Sequence, residues 1–291
     1  MSPAASPRVS IVLHTRDDAD RLETTLASVR AQSLDAVEVL VAGDGCTDDT
    51  ATRVQGLEDP RLRWFDLPRA PGAGYAALNA ALAEARAPLV AYLQAGDLWL
   101  PDHLERLVPL FDTPAIRWAY VRPLWVGQTG EIFPMFANLR VPRDLQHFLN
   151  RRSFLPACAV MHRRSCLEDV GLWPTDKAAD ADWVLWRRII RRYGPHSVGF
   201  QRLPSTVHFA RDDTGHPAPD AVRLMQAMAR ARGHWPEALC LPAAPDGVPP
   251  GQQALAQLCT AGPGPINRVR RAVASLQDDL AWAACQSPLF D

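Results

Sequence analysis

The chain has 291 residues, of which 47% are hydrophobic and 22% are charged, and its formal net charge is -1. This length provides one large domain or two small ones, with enough apolar chain for a core without disulfide bonds. The sequence contains no run of about 18 apolar residues, so it predicts no membrane span. A near-neutral charge does not favour a dedicated nucleic-acid binder, so we expect no nucleic acid among the partners.

Cysteine spacing and the N-terminus bear on the compartment. The six cysteines, at positions 46, 158, 166, 240, 259 and 285, include no close CxxC pair. This spacing does not predict a zinc knuckle, and scattered single thiols are typical of a reducing cytoplasm. The opening MSPAASP lacks the basic and apolar parts of a signal peptide. We expect a disordered N-terminus over residues 1–7 and a cytoplasmic protein.

Residues 8–114 alternate between strand-like and helix-like segments. Apolar runs predict strands over 9–13, 37–42, 62–67 and 89–93. Helices are expected from Asp20, after position 49, over the alanine-rich segment 74–87 and from Pro101. The alternation predicts an α/β fold with a mostly parallel sheet flanked by helices. Ligands of such sheets bind at the carboxyl ends of the strands.

The remaining chain divides into two regions. Residues 115–210 form a mixed half, with predicted strands within 118–134 and over 158–162, and helices over 164–170 and 179–193. Residues 211–291 are predicted to be a helical extension, with helices over 220–232 and 266–285 and a proline-rich linker over 241–251. The last helix could cover the core or form a homo-oligomer. Three arginines near its start, Arg268, Arg270 and Arg271, could instead meet an anionic membrane surface.

Two acidic residues follow predicted strands of the first region. Asp44 precedes Gly45 and a capped helix, so it could accept hydrogen bonds from a base or ribose, or form a plain Asp-Gly turn. Asp97 follows the fourth strand and could hold a divalent cation whose shell phosphate oxygens complete, or could cap the following segment. The local sequence leaves both interpretations open.

Two further residues could carry chemistry in the second region. Asp182, in the first turn of a helix, could be a general base if it faces a cleft, or could compensate the helix dipole. His208 at a strand end could bind metal or phosphate, or be a hydrogen-bonded surface residue. The G-x-G-x-x-A pattern at 72–77 suggests a dinucleotide site, but it lacks the tight strand-to-helix turn of that fingerprint.

These residues lie in longer segments that follow one another in a fixed order: Ser10–Asp17, Ser28–Ser33, Val39–Thr50, Asp59–Leu62, Ala91–Pro101, Val160–Arg164, Val170–Trp173 and Asp182–Arg187. Over about residues 8 to 210, this order resembles the family 2 glycosyltransferases. The resemblance implies a Rossmann-like GT-A fold. Residues 8–114 would bind the nucleotide-sugar, and residues 115–210 would bind the acceptor and supply the catalytic base.

The resemblance also implies the site residues. The nucleotide of a diphosphate-sugar donor would be bound by Thr15, Arg16, Asp44 and Gln94. A Mg or Mn ion on the diphosphate would be held by Asp97 and His208. Asp182 would be the general base of an inverting transfer, in which the metal offsets charge on the leaving diphosphate. The acceptor could be a glycan, a lipid-linked sugar, a peptide or a small molecule.

Several positions depart from the family pattern. Gly43 stands where the first aspartate of the DDGS motif is expected, and Gln94 and Gly96 replace acids of the D-x-D region. Arg16 or Arg69 could then take over diphosphate charge. We therefore carry three hypotheses: an inverting glycosyltransferase with an altered donor site, a catalytically impaired relative that acts as a binding or scaffold subunit, and a dinucleotide oxidoreductase.

Overall fold

A computed structural model describes residues 6–278 apart from 73, 128–129, 136, 152, 177–179, 210–234 and 243–247. The first half contains β1 (Val9–Thr15), α1 (Ala19–Arg30), β2 (Val37–Asp44), α2 (Thr50–Gly56), β3 (Leu62–Leu67), α3 (Tyr75–Ala83) and β4 (Leu89–Gln94). These four strands pair in parallel in the order β3-β2-β1-β4. Strands β1, β2 and β4 are almost wholly buried, as their continuous apolar runs predict.

The second half continues the same sheet. It contains β5 (Leu98–Trp99), α4 (His103–Leu107), β6 (Trp118–Val126), β7 (Ile132–Pro134), α5 (Pro142–Asn150), β8 (Val160–Arg163), α6 (Cys166–Val170), α7 (Ala181–Tyr193) and β9 (Val198–Phe209). Within the described residues the sheet has nine strands in the order β3-β2-β1-β4-β8-β6-β9-β5, and β7 pairs with β6. Strand β8 runs antiparallel to β4 and β6, so the sheet becomes mixed here, as predicted for this half.

The C-terminal part packs on the far end of this sheet. Its described helices are α8 (Pro250–Ala254), a π-helical continuation over Leu255–Thr260, and α9 (Pro263–Asp278). Residues of these helices share an apolar cluster with β6 and β7. The predicted helix over 220–232 and most of the predicted N-terminal disorder lie outside the described residues. None of the helices described is long and apolar enough to cross a bilayer.

Several predicted boundaries are wrong for local reasons. The alanine-rich helix ends at Ala83 rather than at 87, because the amides of Arg86 and Ala87 donate to the buried Glu38 carboxylate at 2.6 and 3.2 Å. Pro88 also disfavours helical geometry at the residue before it. The strand predicted from 158 begins at Val160, because Ala157–Ala159 forms a 3-10 turn.

The last helix does not present its three arginines together. Arg270 is buried, and its guanidinium donates to both carboxylate oxygens of Asp102 at 2.8 and 2.9 Å and to the Pro204 carbonyl. Arg268 and Arg271 are exposed. The expectation that all three arginines could meet a membrane surface is therefore wrong for Arg270, which attaches α9 to the sheet.

Candidate active site

The parallel strands bring the predicted nucleotide residues to one edge of the sheet. In the strand register, Thr15 of β1 pairs with Gly43 of β2, and His14 pairs with Gln94 of β4. Asp44 is the last residue of β2, two residues beyond the predicted strand end. The carboxyl ends of these strands are thus adjacent, as a ligand-binding edge requires.

Asp44 is fully buried and bonded within the protein. Its carboxylate accepts hydrogen bonds from the Ala70 amide at 3.0 Å, from the Arg16 guanidinium and from His14 Nε2 at 3.4 Å. Burial raises the pKa of Asp44, but the hydrogen bonds from Ala70 and Arg16 outweigh it and leave the pKa below its ordinary value. Asp44 is therefore a carboxylate at neutral pH. It is already paired with Arg16.

Arg16 and Thr15 both lie beside Asp44. The Arg16 guanidinium also contacts the carbonyls of Ala70 and Gly72 at 3.4 and 3.3 Å, so it ties β1 to the loop after β3. Thr15 is buried, and its hydroxyl has no hydrogen-bond partner among the described residues. Because Arg16 is bound to Asp44, its charge is not directed at a diphosphate in this structure.

Two glycines of this edge are explained by packing. A side chain at Gly43 would meet the Trp64 ring at 2.4 Å, which accounts for the missing aspartate of the family motif. A side chain at Gly74 would meet the His14 ring at 1.9 Å, and Gly74 has a positive φ of 79°. The G-x-G-x-x-A pattern therefore serves the contact between α3 and His14, which removes the sequence evidence for a dinucleotide site.

Asp182 lies in the first turn of α7, beside a narrow cleft. Helix α7 begins after Asp180, which is exposed and has a φ of 63°. The cleft also contains Gln94 and His208, and its accessible volume between the described residues is about 30 Å³. Asp180, two aromatic rings and the segment after α5 complete its lining: Asp180, Trp125, Trp183 and residues 153–157. A sugar would enter only if some of these side chains moved.

The environment of Asp182 makes its carboxyl group unusually basic. Burial and, to a smaller extent, the charge of Asp180 raise its pKa to about 7, against a lowering by the nearby Trp173 indole. A layer of packed rings lies beneath, with the Tyr92 ring 4.8 Å from that of Trp173 and 5.4 Å from that of Trp186. A carboxylate with a pKa near neutrality is suited to accept a proton at physiological pH.

The predicted metal residues are in contact. His208 Nδ1 lies 2.8 Å from Asp97 Oδ1, and the side chains are 12% and 7% exposed. Thr25 of α1 fixes the turn that carries Asp97, since its hydroxyl accepts from the Gly96 amide and donates to the Asp97 carbonyl, both at 2.9 Å. The Cys158 thiol lies close enough for ligand atoms of all three side chains to fall within 4.8 Å of one another.

The structure thus groups the predicted residues in two neighbouring sets. Gln94, Asp182 and His208 line one cleft, with Asp97 behind His208. Thr15, Arg16 and Asp44 lie beside it, joined through His14, which pairs with Gln94 in the sheet and contacts Asp44. Sequence analysis missed Cys158 and did not assign Trp183 to the cleft, although Trp183 directly follows Asp182. Nothing near Cys158 in sequence signals the cleft, because its partners are distant in the chain.

Comparisons with known proteins place the fold and family. Residues 10–171 match the model of glycosyl transferase family 2. The chain is 31% identical to the succinoglycan biosynthesis protein ExoO of Rhizobium meliloti over 137 residues, which is 47% of this chain and 39% of that protein. Across four curated relatives it spans 32% to 56% of their lengths.

Solved glycosyltransferase structures share the fold. The TarS 1-349 structure from S. aureus in complex with UDP has a TM-score of 0.56 at 15% identity, covering 75% of this chain and 63% of that one. The mannosyltransferase PcManGT from Pyrobaculum calidifontis, in complex with GDP-Man and Mn2+, has a TM-score of 0.55 at 22% identity, covering 97% and 79%. These likenesses confirm the predicted GT-A fold. With more than half of its length matched by the family model, the chain belongs to glycosyltransferase family 2.

Proposed function

We propose that the chain transfers a glycosyl group from a nucleoside-diphosphate sugar to an acceptor hydroxyl with inversion, and that Asp182 is the general base. The observation that carries this proposal is the position of Asp182: a partly exposed carboxylate with a pKa of about 7, in one cleft with Gln94 and His208. Family membership and the ligands named for the neighbours, UDP in TarS and GDP-Man in PcManGT, support a nucleotide-sugar donor.

The chemistry assigns a task to each part of the cleft. The Asp182 carboxylate takes the proton of the acceptor hydroxyl as the hydroxyl oxygen forms a bond to the anomeric carbon. The bond from that carbon to the diphosphate breaks on the opposite face, so the configuration inverts. Trp125 and Trp183 offer apolar ring surfaces for a sugar. Gln94 and His208 would contact the leaving diphosphate.

The nucleotide is assigned to the neighbouring set of residues. Asp44 and Thr15 would hold the base and ribose, as predicted. Because Arg16 already bonds Asp44, donor binding requires Arg16 to stay as a platform for the base or to move toward the diphosphate. Either role uses the planar, permanently charged guanidinium, which suits both stacking and phosphate binding.

The residues present fit a divalent transition-metal ion. Asp97 and His208 supply one oxygen and one nitrogen at contact distance, and would hold the ion with phosphate oxygens of the donor. When bound, such an ion would neutralise charge on the leaving diphosphate. Mg²⁺ fits less well, because it favours a shell made almost entirely of oxygen atoms.

The name of the relative ExoO, a succinoglycan biosynthesis protein, supports a carbohydrate hydroxyl as the acceptor. A cytoplasmic location, attachment at the inner face of a membrane and homo-oligomer formation stay predictions. The five cysteines of the described residues are free thiols, in line with a reducing compartment.

The test combines calorimetry and transfer assays on two matched variants. Wild-type protein should bind at least one nucleoside diphosphate from a panel, with and without Mn²⁺. Asp182→Asn should keep that affinity within about twofold but lose roughly 100- to 10,000-fold in donor hydrolysis or transfer. Asp180→Asn, at the exposed neighbouring position, should stay active. Its pH profile should shift to lower pH, because removing the Asp180 charge lowers the pKa of Asp182.

Two observations favour a second function, that of a binding or scaffold subunit. The acid that the family motif would place at Gly43 is missing, and Asp44 is already neutralised by Arg16. A wild-type chain that binds a nucleotide but neither transfers nor hydrolyses any sugar would support this alternative. A chain that binds no nucleotide at all would contradict the transferase proposal.

A further inference from the structure

Three side chains with metal-binding atoms converge behind the cleft from distant parts of the chain. Asp97 comes from the turn after β4, Cys158 from the turn before β8, and His208 from the end of β9. Their ligand atoms all lie within 4.8 Å of one another. Asp97 and Cys158 are buried, and His208 lines the cleft with Asp182.

Neighbouring residues outside the set contact Cys158 and His208. The Cys158 thiol contacts both Asp97 and Thr206, and its carbonyl accepts the Trp99 indole N–H at 2.8 Å. The Trp125 ring meets the His208 ring edge-on at 4.4 Å between centroids. Such outer contacts orient metal ligands, and a site with fixed ligands selects ions by geometry and ligand type.

The chemical character of the set differs from that of an all-oxygen site. It offers one carboxylate oxygen, one imidazole nitrogen and one sulfur. Thiolate ligands favour Zn²⁺ and similar softer ions, whereas Mg²⁺ and Mn²⁺ are better suited to oxygen ligands. Three protein ligands with one open position are also the usual arrangement of a catalytic zinc site.

We infer that Cys158 is a third metal ligand beside Asp97 and His208, and that the site binds Zn²⁺ or Co²⁺ in preference to Mn²⁺ and Mg²⁺. The open position would accept a diphosphate oxygen of the donor, and this role rests on the proposed function. The ligand set itself does not depend on that function. A sulfur ligand also compensates for the acids that the sequence lacks at Gln94 and Gly96.

The test is cobalt spectroscopy on the full 291-residue chain, stripped of metal with a chelator and titrated with Co²⁺. Coordination by Cys158 predicts a near-ultraviolet thiolate-to-cobalt charge-transfer band that saturates at one ion per chain. Added Zn²⁺ should remove the band at concentrations at least about tenfold below those of Mn²⁺ needed for the same effect. A wild-type chain without this band, or equal competition by Mn²⁺, would overturn the inference.

Matched serine variants identify the sulfur. Cys158→Ser should abolish the band and shift the preference toward Mn²⁺. Cys46→Ser is the control, because Asp17, Cys46 and Asp48 form the other group of three possible ligands among the described residues. In that group, Asp17 is already occupied by the amides of Thr47 and Asp48 at 2.6 and 3.3 Å. A band that survives in Cys158→Ser, or disappears in Cys46→Ser, would contradict the assignment.

Failure of this inference can be told apart from failure of the proposed function. A cobalt band without nucleotide binding would leave the metal site standing and contradict the transferase. Nucleotide binding and sugar transfer without a thiolate band would leave the transferase standing and contradict Cys158 as a ligand. Circular dichroism of each variant separates loss of a ligand from loss of the fold.

Discussion

At the scale of single residues, the chemistry of this chain depends on how burial and neighbouring charges shift the pKa of each carboxyl group. Asp44 and Asp182 lie at the same edge of the sheet, yet the pKa of Asp44 is lowered and that of Asp182 is raised to about 7. The difference comes from their partners. Asp44 has Arg16 and a backbone amide, whereas Asp182 lies above aromatic rings with Asp180 nearby. Carboxylates with separated pKa values are typical of acid-base sites.

The raised pKa of Asp182 predicts a stability cost at high pH. A carboxyl group whose folded pKa exceeds its unfolded value of 3.8 favours folding less as the pH rises toward the folded value, about 7. Asp182→Asn should therefore unfold at higher urea concentration than the wild type at pH 8, and this advantage should shrink as the pH falls toward about 4. A urea series across this range checks it, and Asp180→Asn should show a smaller gain of the same sign, because it lowers the pKa of Asp182. An advantage that does not change with pH would contradict the raised pKa of this carboxyl group.

Gly43 provides a second test at this scale. Because a β-carbon there would lie 2.4 Å from the Trp64 ring, Gly43→Ala should destabilise the fold by about 1 to 3 kcal/mol. When Trp64→Ala is also present, Gly43→Ala should destabilise the fold much less. A double-mutant cycle of urea unfolding measures this difference as a coupling free energy. Gly56→Ala is the control: it has open space around it and lies at the end of α2, so it should not destabilise. Additive effects of the first two substitutions would contradict the proposed clash.

At the scale of elements, the attachment of α9 to the sheet depends on one buried arginine. The Arg270 guanidinium binds both oxygens of Asp102, which precedes α4, and the Pro204 carbonyl in β9. Helix α9 therefore joins two elements that are distant in sequence. The bidentate geometry cannot be reproduced by a lysine.

Arg270→Ala should therefore destabilise the protein by about 3 kcal/mol, because it leaves Asp102 without its main partner in a partly buried place. Thermal or urea unfolding measures the change. Arg271→Ala, one residue later and exposed, should change stability by no more than about 0.5 kcal/mol. Equal effects of the two substitutions would show that the ion pair does not attach the helix.

The ends of helices and strands show which boundaries can be predicted from the sequence. The run Leu62–Leu67 gave a strand with both ends right, since its limits depend on its own apolar and polar residues. The end of α3 was missed, because it depends on Glu38, which lies far away in the sequence and binds the amides of Arg86 and Ala87. Boundaries set by distant side chains are not visible in a local pattern.

At the scale of the whole molecule, the order of the motifs predicted the GT-A fold, and the parallel strands predicted which edge would hold the site. Asp44, Gln94 and Asp97 could be placed there from the sequence, because they end or follow strands of the parallel half. Cys158 could not, since only the curved, mixed half of the sheet brings it to Asp97 and His208. The Arg16–Asp44 pair is not predictable either, because the family resemblance assigns each of the two residues to a ligand.

The central claim is that the side chains at 44, 97 and 182 serve one nucleotide-sugar. It is tested most directly by a crystal structure of the chain with the nucleoside diphosphate that binds most tightly. Our account predicts the base beside Asp44 and Arg16, and the diphosphate between Gln94 and His208 with its terminal oxygen facing the Asp182 cleft. A nucleotide bound away from this edge, or a diphosphate remote from His208, would contradict it.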